Sequence, residues 1–300
     1  MMKAKVLIAS GVICLFVCGA VAAQSSSKAE LSSDGQLVEA VGVVTNPCVA
    51  LPPEPAIVRA FMAQSDQAKA HHQSMPQPSA EVNAASKAWQ DQRTLQDFGN
   101  VCRYRDANAA LAPATSHRVV FMGDSITEAW GTGDPTLFTD DVIDRGIAGQ
   151  TTPQMVLRFQ ADVIDLNPAV VQILAGTNDI AGNTGPTSLD AIENNMKAMV
   201  EMARAHHIRV VLAALTPAAR YPWRPSVAPI ETIKALNDWI KTYADKEGLT
   251  YVDYFTPLDD GHRGFRAALT IDGVHPNAAG YAVMSRLAKA AISQAQSKAP

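Results

Sequence analysis

A chain of 300 residues that is 47% hydrophobic and 18% charged can bury a sizeable core and is too apolar to be disordered throughout. Its 25 basic and 29 acidic residues leave a formal net charge of −4. With no long basic block in addition, nucleic acid is disfavoured as a partner.

The chain opens as a secretory leader. Lys3 and Lys5 precede the apolar run VLIASGVICLFVCGAV, and Ala20-Val21-Ala22 offers small residues for cleavage. Residues 1–23 are therefore read as a signal peptide, which makes the expected address periplasmic or secreted. Cys18 is a poor lipid-attachment site because the bulky Val17 precedes it. No later apolar stretch is long enough to span a bilayer, so no membrane span is expected after cleavage. Residues 24–37 are serine-rich and polar, a disordered linker.

Residues 38–115 carry apolar positions at helical spacing in two Ala/Gln-rich stretches, PAIVRAFMAQSDQAKAHHQ and SAEVNAASKAWQDQRTLQDF. SMPQPSA breaks them. This region is expected to be a helical N-terminal extension. Cys14 and Cys18 leave with the leader, so Cys48 and Cys102 remain as the pair for a disulfide in an oxidising compartment. The bridge would close a loop of about 54 residues and stabilise by a few kcal/mol in the chain-entropy model.

From residue 116 to 300 the pattern turns to alternating strands and helices. RVVFMGDS, DDVIDRGIAG, PAVVQILAGTND, IRVVLAALTP and LTYVDYF each carry a short apolar run. PAVVQILAGTND is apolar on both faces, as a buried parallel strand should be. TSLDAIENNMKAMVEMARAH is helical, with a capping box expected from Thr187 and Asp190. PIETIKALNDWIKTYADKEG is helical and ends at Gly248, and NAAGYAVMSRLAKAAISQAQ is the last helix. The order predicts an α/β fold in which helices cover both faces of a parallel sheet of about five strands. Sites in such sheets lie at the carboxyl ends of the strands.

Four polar motifs fall at those ends. Ser125 follows the first strand, Gly149 the second and Asn178 the third; Asp272 and His275 follow the fifth. A serine hydroxyl needs a base to become a nucleophile, and His275 is the natural one. Asp272, three residues earlier, can hold the other ring nitrogen. The N–H groups of Ser125 and Gly149 and the side-chain amide of Asn178 could face a developing oxyanion. Asp124 is expected to support the turn through its carboxylate, and Gly123 to let the chain bend and to leave room for substrate.

These motifs resemble the SGNH hydrolases, also called the GDSL esterase/lipase family. GDSIT, RGIAG, GTND and DGVHP match in order, and the resemblance covers about residues 116–296. It implies a three-layer α/β/α, flavodoxin-like sandwich and a Ser125, Asp272, His275 triad. It implies nothing firm about residues 38–115. The nucleophile-elbow signature G-x-S-x-G of the α/β-hydrolases is absent.

Two further groups are candidate substrate contacts: Trp130 just after the serine, and Arg220, Tyr221, Trp223 and Arg224 on the loop after the fourth strand. Aromatic rings can stack on sugars, and arginines can hold a carboxylate or phosphate. The adjacent pairs His71-His72 and His206-His207 point apart on a helix and make poor metal clamps. The mechanism calls for no metal or cofactor. The expected partner is a small-molecule or carbohydrate ester, with a short acyl group first. Longer-chain lysophospholipase or thioesterase activity, carbohydrate O-acyl transfer and a non-catalytic binding module stay as alternatives, and oligomeric state is left open.

Overall fold

The computed structural model describes residues 43–70 and 76–298. The expected leader and linker, His71-His72 and part of the helical extension lie outside them. The chain divides into two compact units at Pro52/Pro53. The described part of the first is a short 3-10 turn, Pro47–Ala50, whose Cys48 N–H is capped by Asn46 Oδ1 at 3.1 Å. Cys48 and Cys102 are both disulfide-bonded.

The second unit begins with helices α1 (Ala56–Ala70), α2 (Ala80–Gln96) and α3 (Arg105–Ala109). α2 starts where the Ser79 hydroxyl accepts from Val82 N–H, the ordinary N-cap arrangement. Five strands follow: β1 (Val119–Gly123), β2 (Val142–Gly146), β3 (Val170–Leu174), β4 (Arg209–Ala213) and β5 (Thr250–Val252). All pair in parallel, in the order β2-β1-β3-β4-β5. This is the doubly wound flavodoxin-like order, with its switch point between β1 and β3. The linking helices are α4 (Ser125–Glu128), α5 (Trp130–Gly133), α6 (Thr152–Asp162), α7 (Thr177–Ile180), α8 (Leu189–Ala205), α9 (Ile230–Glu247), α10 (Phe255–Leu258) and α11 (Ala278–Ser297).

Strand alternation builds two cores. Val120, Met122, Val171 and Ile173 point to one face, where Met155 and Phe159 of α6, Met196 of α8 and Leu236 of α9 cover them. Val119, Phe121 and Leu174 point to the other, under Trp130 of α5 and Tyr281, Met284 and Ala288 of α11. β1 and β3 are buried along their whole length. Each such Val, Leu, Ile or Phe contributes roughly 1.5–3 kcal/mol by leaving water, so the central strands are the most strongly held part of the sheet.

Helix ends differ from expectation in one place. α8 is capped by Ser188, whose hydroxyl accepts from Ala191 N–H at 3.2 Å, and not by Thr187. α9 ends as expected at Gly248, in the left-handed conformation with φ 68°. The helical extension is fastened beside the β2 edge. Asn108 Nδ2 donates to Ala161 O and to Asp162 Oδ1, Tyr104 donates to Gly146 O, and Gln150 Nε2 reaches Gly99 O.

Candidate active site

Ser125 owes its place to its neighbours. Asp124 is the N-cap of α4, its Oδ1 accepting from Ile126 N–H at 3.0 Å. Ser125 is therefore the first residue of a helix that starts directly at the end of β1. Gly123 serves this junction by its size alone, since its φ is not in the left-handed region. A Cβ there would overlap the Thr127 side chain and come within 3.0 Å of Leu174 O. The room that glycine leaves is taken by Thr127, not by substrate.

The loop after β5 supplies the base. His275 Nε2 lies 2.9 Å from Ser125 Oγ, and its Nδ1 lies 2.8 Å from Asp272 Oδ2. The other oxygen of Asp272 accepts from the backbone N–H of Val274 and His275. That clamp holds the carboxylate and the imidazole in register three residues apart. Partial burial by itself raises the Asp272 pKa, but bonds from the His275 ring and backbone overcome this and bring it down to about 2. For His275 burial works against the charged form, yet Asp272 more than compensates, and its pKa stands above the ordinary histidine value.

Two backbone donors of the same motifs stand without a partner among the described residues: neither Ser125 N–H nor Gly149 N–H has a hydrogen-bond acceptor. Gly149 has φ 77°, a conformation costly for any residue with a Cβ. Asn178 is 3% exposed and already engaged: its Nδ2 donates to Asp124 Oδ2 at 3.0 Å and to Gln150 O at 3.1 Å. The expectation of a waiting amide is thus modified, because both hydrogens have acceptors. Asp124 is buried, which pushes its pKa up to about 6. Asp179 shapes the loop, accepting from Thr152 N–H and Oγ1–H and so pinning the start of α6.

Four motifs distant in sequence thus meet in one hydrogen-bonded set. The other candidates divide. Trp223 is 38% exposed, with its ring centroid 6.0 Å from that of His275. Arg224 lines the adjoining cleft. Arg220 is exposed, with no hydrogen-bond partner among the described residues. Two aromatic expectations fail. Trp130 is fully buried under the sheet, donating to Ser285 Oγ and packing against Phe121, Tyr254 and Tyr281. Its place in the α5 turn aims it at the core. Tyr221 is fully buried too, stacked beneath Trp223 at 5.1 Å, so it supports the exposed ring without meeting solvent.

Two contributors were missed by sequence reasoning. Arg158 is fully buried on α6; it donates to Gly123 O and Gln150 Oε1 and pairs with Asp162, tying the end of β1 to the Gly149 loop. Its i,i+4 spacing to Asp162 was the available signal. Asn183, beyond the GTND motif, donates to Asn178 Oδ1 and Gly149 O.

A cleft of about 1310 Å³ opens beside Gly149, Gln150 and Asn183. Its far wall is α2 and the segment after it, with Trp89, Arg93 and Phe98; Arg103 and Arg224 complete it. Among the described residues no three His, Cys, Asp or Glu are grouped as metal ligands would be.

A parallel α/β sheet carrying hydroxyl, imidazole and carboxylate in one relay at its carboxyl edge defines a serine hydrolase. Residues 121–283 match the family described as GDSL-like Lipase/Acylhydrolase, and the chain belongs to that family of serine esterases. A solved protein of Bacteroides fragilis named as an acylhydrolase is 42% identical, with a TM-score of 0.65 over 67% of this chain and 99% of its own. A GDSL-like lipase of Bacteroides thetaiotaomicron is 43% identical, with a TM-score of 0.64 over 66% of this chain and 99% of its own. Esterase TesA of Pseudomonas aeruginosa is 26% identical over 54% of this chain and 81% of its own. The uncharacterized lipoprotein YqeF of Bacillus subtilis is 32% identical over 35% of this chain; the match spans 48% of YqeF, less than half its length.

Proposed function

We propose that the chain is an extracytoplasmic esterase that removes short acyl groups, acetyl first, from a carbohydrate. The observation that carries the chemistry is the Ser125–His275–Asp272 relay, together with the Ser125 and Gly149 N–H groups that have no acceptor among the described residues. Ser125 Oγ attacks the ester carbonyl carbon as His275 Nε2 takes its proton. The carbonyl oxygen becomes an oxyanion held by Ser125 N–H and Gly149 N–H. Asn178 gives the third bond by releasing Gln150 O, a neutral acceptor weaker than the oxyanion. When the C–O bond breaks, Nε2–H protonates the departing alcohol and the acyl group stays on Ser125. Water then repeats the sequence, with His275 again as base, and frees the acid. Asp272 keeps Nδ1 protonated and stabilises the imidazolium throughout.

The cleft supports a polar substrate. Just over half of its lining residues are charged or amide-bearing, and the exposed ring of Trp223 neighbours His275 and donates to Asn183 of that lining. A long acyl chain would want an enclosed apolar pocket, whereas stacking on an aromatic ring suits a sugar. The N-terminal leader and the resemblance to a lipoprotein support the extracytoplasmic address. Among the described residues no helix is long and apolar enough to cross a membrane.

The test compares wild type and Ser125→Ala on p-nitrophenyl esters of increasing chain length and on acetylated polysaccharide. Wild type should prefer acetate and release it from the polymer, and the variant should lose activity by a factor on the order of 10⁴ or more. Activity that survives in Ser125→Ala sinks the mechanism. A rate that climbs with chain length sinks the substrate.

A further inference from the structure

We propose that Asn183 is a positioning residue of the oxyanion hole, holding the Asn178 amide and the Gly149 carbonyl in their working orientation, with Trp223 setting its polarity. This rests on the reading of Asn178 and Gly149 given above. An asparagine amide can sit in either of two orientations related by a half-turn, and only its partners decide between them. The partners form a chain here. Trp223 Nε1–H donates to Asn183 Oδ1 at 3.2 Å. Asn183 Nδ2 donates to Asn178 Oδ1 at 2.8 Å and to Gly149 O at 3.1 Å. Asn178 Nδ2 donates to Asp124 Oδ2 and Gln150 O.

The ends of the chain have fixed polarity. An indole N–H can only donate, and an ionised carboxylate or a carbonyl can only accept. Both amides between them are therefore locked. Turning Asn178 over would set its oxygen against Asp124 and Gln150 O, and its NH₂ against the NH₂ of Asn183. Asn183 is half-buried in the turn after α7 and bonds through its own N–H to Asn178 O, so its side chain reaches the site from a fixed backbone. Trp223, on the loop after β4, closes the chain beside the His275 ring. Seating of that loop is thereby coupled to the oxyanion hole.

Steady-state kinetics on p-nitrophenyl acetate test this with Asn183→Ala, Asn183→Asp and Trp223→Phe, each also combined with Asn178→Ala. Asn183→Ala should lower kcat roughly tenfold with KM within about twofold. Asn183→Asp should be worse than Asn183→Ala. It keeps the volume and the acceptor for Trp223, but faces Asn178 Oδ1 and Gly149 O with negative oxygens. A merely structural role reverses that order, because the near-isosteric Asp would be the gentler change. In the Asn178→Ala background, Asn183→Ala should cost little more. Should Asn183→Ala not fold, Trp223→Phe keeps an aromatic ring, removes the donor and should lower kcat about two- to fourfold. Asn183→Asp gentler than Asn183→Ala, full additivity with Asn178→Ala, or kcat unchanged in Asn183→Ala or Trp223→Phe overturns the proposal. If Asn178→Ala keeps full kcat, the role of Asn178 in the hole falls as well; an impaired Asn178→Ala beside an unimpaired Asn183→Ala overturns the positioning role alone.

Discussion

His275 stands between two carboxylates of opposite character. Asp272 bonds its Nδ1 and is held down at about 2, while Asp124, buried behind Ser125, is pushed up to about 6. Both favour a proton on the imidazole, and the His275 pKa rises despite burial. The base must be neutral to take the serine proton, so a raised pKa moves the acid limb of kcat/KM upward. The rate should fall as pH drops through a value above the ordinary histidine pKa of about 6.5. Asp272→Asn removes the largest raising influence. Its limb should move to lower pH, and kcat should fall by a factor on the order of 10²–10⁴ as the wrong tautomer is populated. A pH–rate series on both proteins checks this, and a limb that does not shift would remove Asp272 from the relay. The same groups set stability with opposite signs. The depressed Asp272 contributes above its unfolded pKa and loses that contribution as pH falls toward 2. The raised His275 contributes below its unfolded pKa and loses that contribution as pH rises through its folded value.

At the scale of elements, the site is a junction where β1 and β2 end against the first turn of α4. Gly146 ends β2 so close to that turn that a Cβ would come within 2.7 Å of Glu128 Cα and overlap the Glu128 backbone nitrogen. The obstacle is main chain, which cannot rotate away. Gly146→Ala should therefore push α4, and Ser125 with it, off the β2 edge. We expect a loss of about 1–3 kcal/mol in stability and a fall in kcat larger than the fall in folded fraction, read by thermal melting beside single-turnover kinetics. Gly185→Ala, with nothing within 4 Å of its Cβ but φ 104°, is the control for backbone strain without a clash. Such contacts explain which parts were legible in the sequence. The five strands and the long helices α8, α9 and α11 announce themselves through apolar periodicity and caps, and the four motifs fall at strand ends. What periodicity does not carry is which way a short element turns its residues. α5 is one turn long, and nothing in TEAWGTG says that Trp130 faces the core. Tyr221 and Trp223 alternate on an irregular loop, so which ring lies beneath the other depends on the chain above β4. Asn183 was missed because an amide in a turn has no chemistry of its own until Asn178 and Gly149 are seen beside it.

For the molecule as a whole, the Gly149 loop and Asn183 line the cleft together with the helical extension. α2 brings Trp89 and Arg93 to the far wall, with the Arg93 guanidinium 5.3 Å from the Trp89 ring. Fastening that wall takes several bonds, among them Gln154 Nε2 to Phe98 O and Gln150 Nε2 to Gly99 O. Gln150 also accepts from Arg158 and offers its carbonyl to Asn178, so wall and hole share one residue. A small ester such as p-nitrophenyl acetate needs only the catalytic edge, whereas on the proposed function a polymeric substrate would also span the cleft. Trp89→Ala should thus separate the two. On acetylated polysaccharide KM should rise about five- to tenfold, equivalent to about 1–1.4 kcal/mol of lost binding. On p-nitrophenyl acetate kcat and KM should stay within about twofold of wild type, as expected for binding removed far from the reacting bond. Equal losses on both substrates would mean that Trp89 supports the fold of α2 and not the substrate, and a circular-dichroism melt of the variant would then show a lowered Tm. No loss on either would confine the substrate to the catalytic edge and leave the extension without a part in recognition.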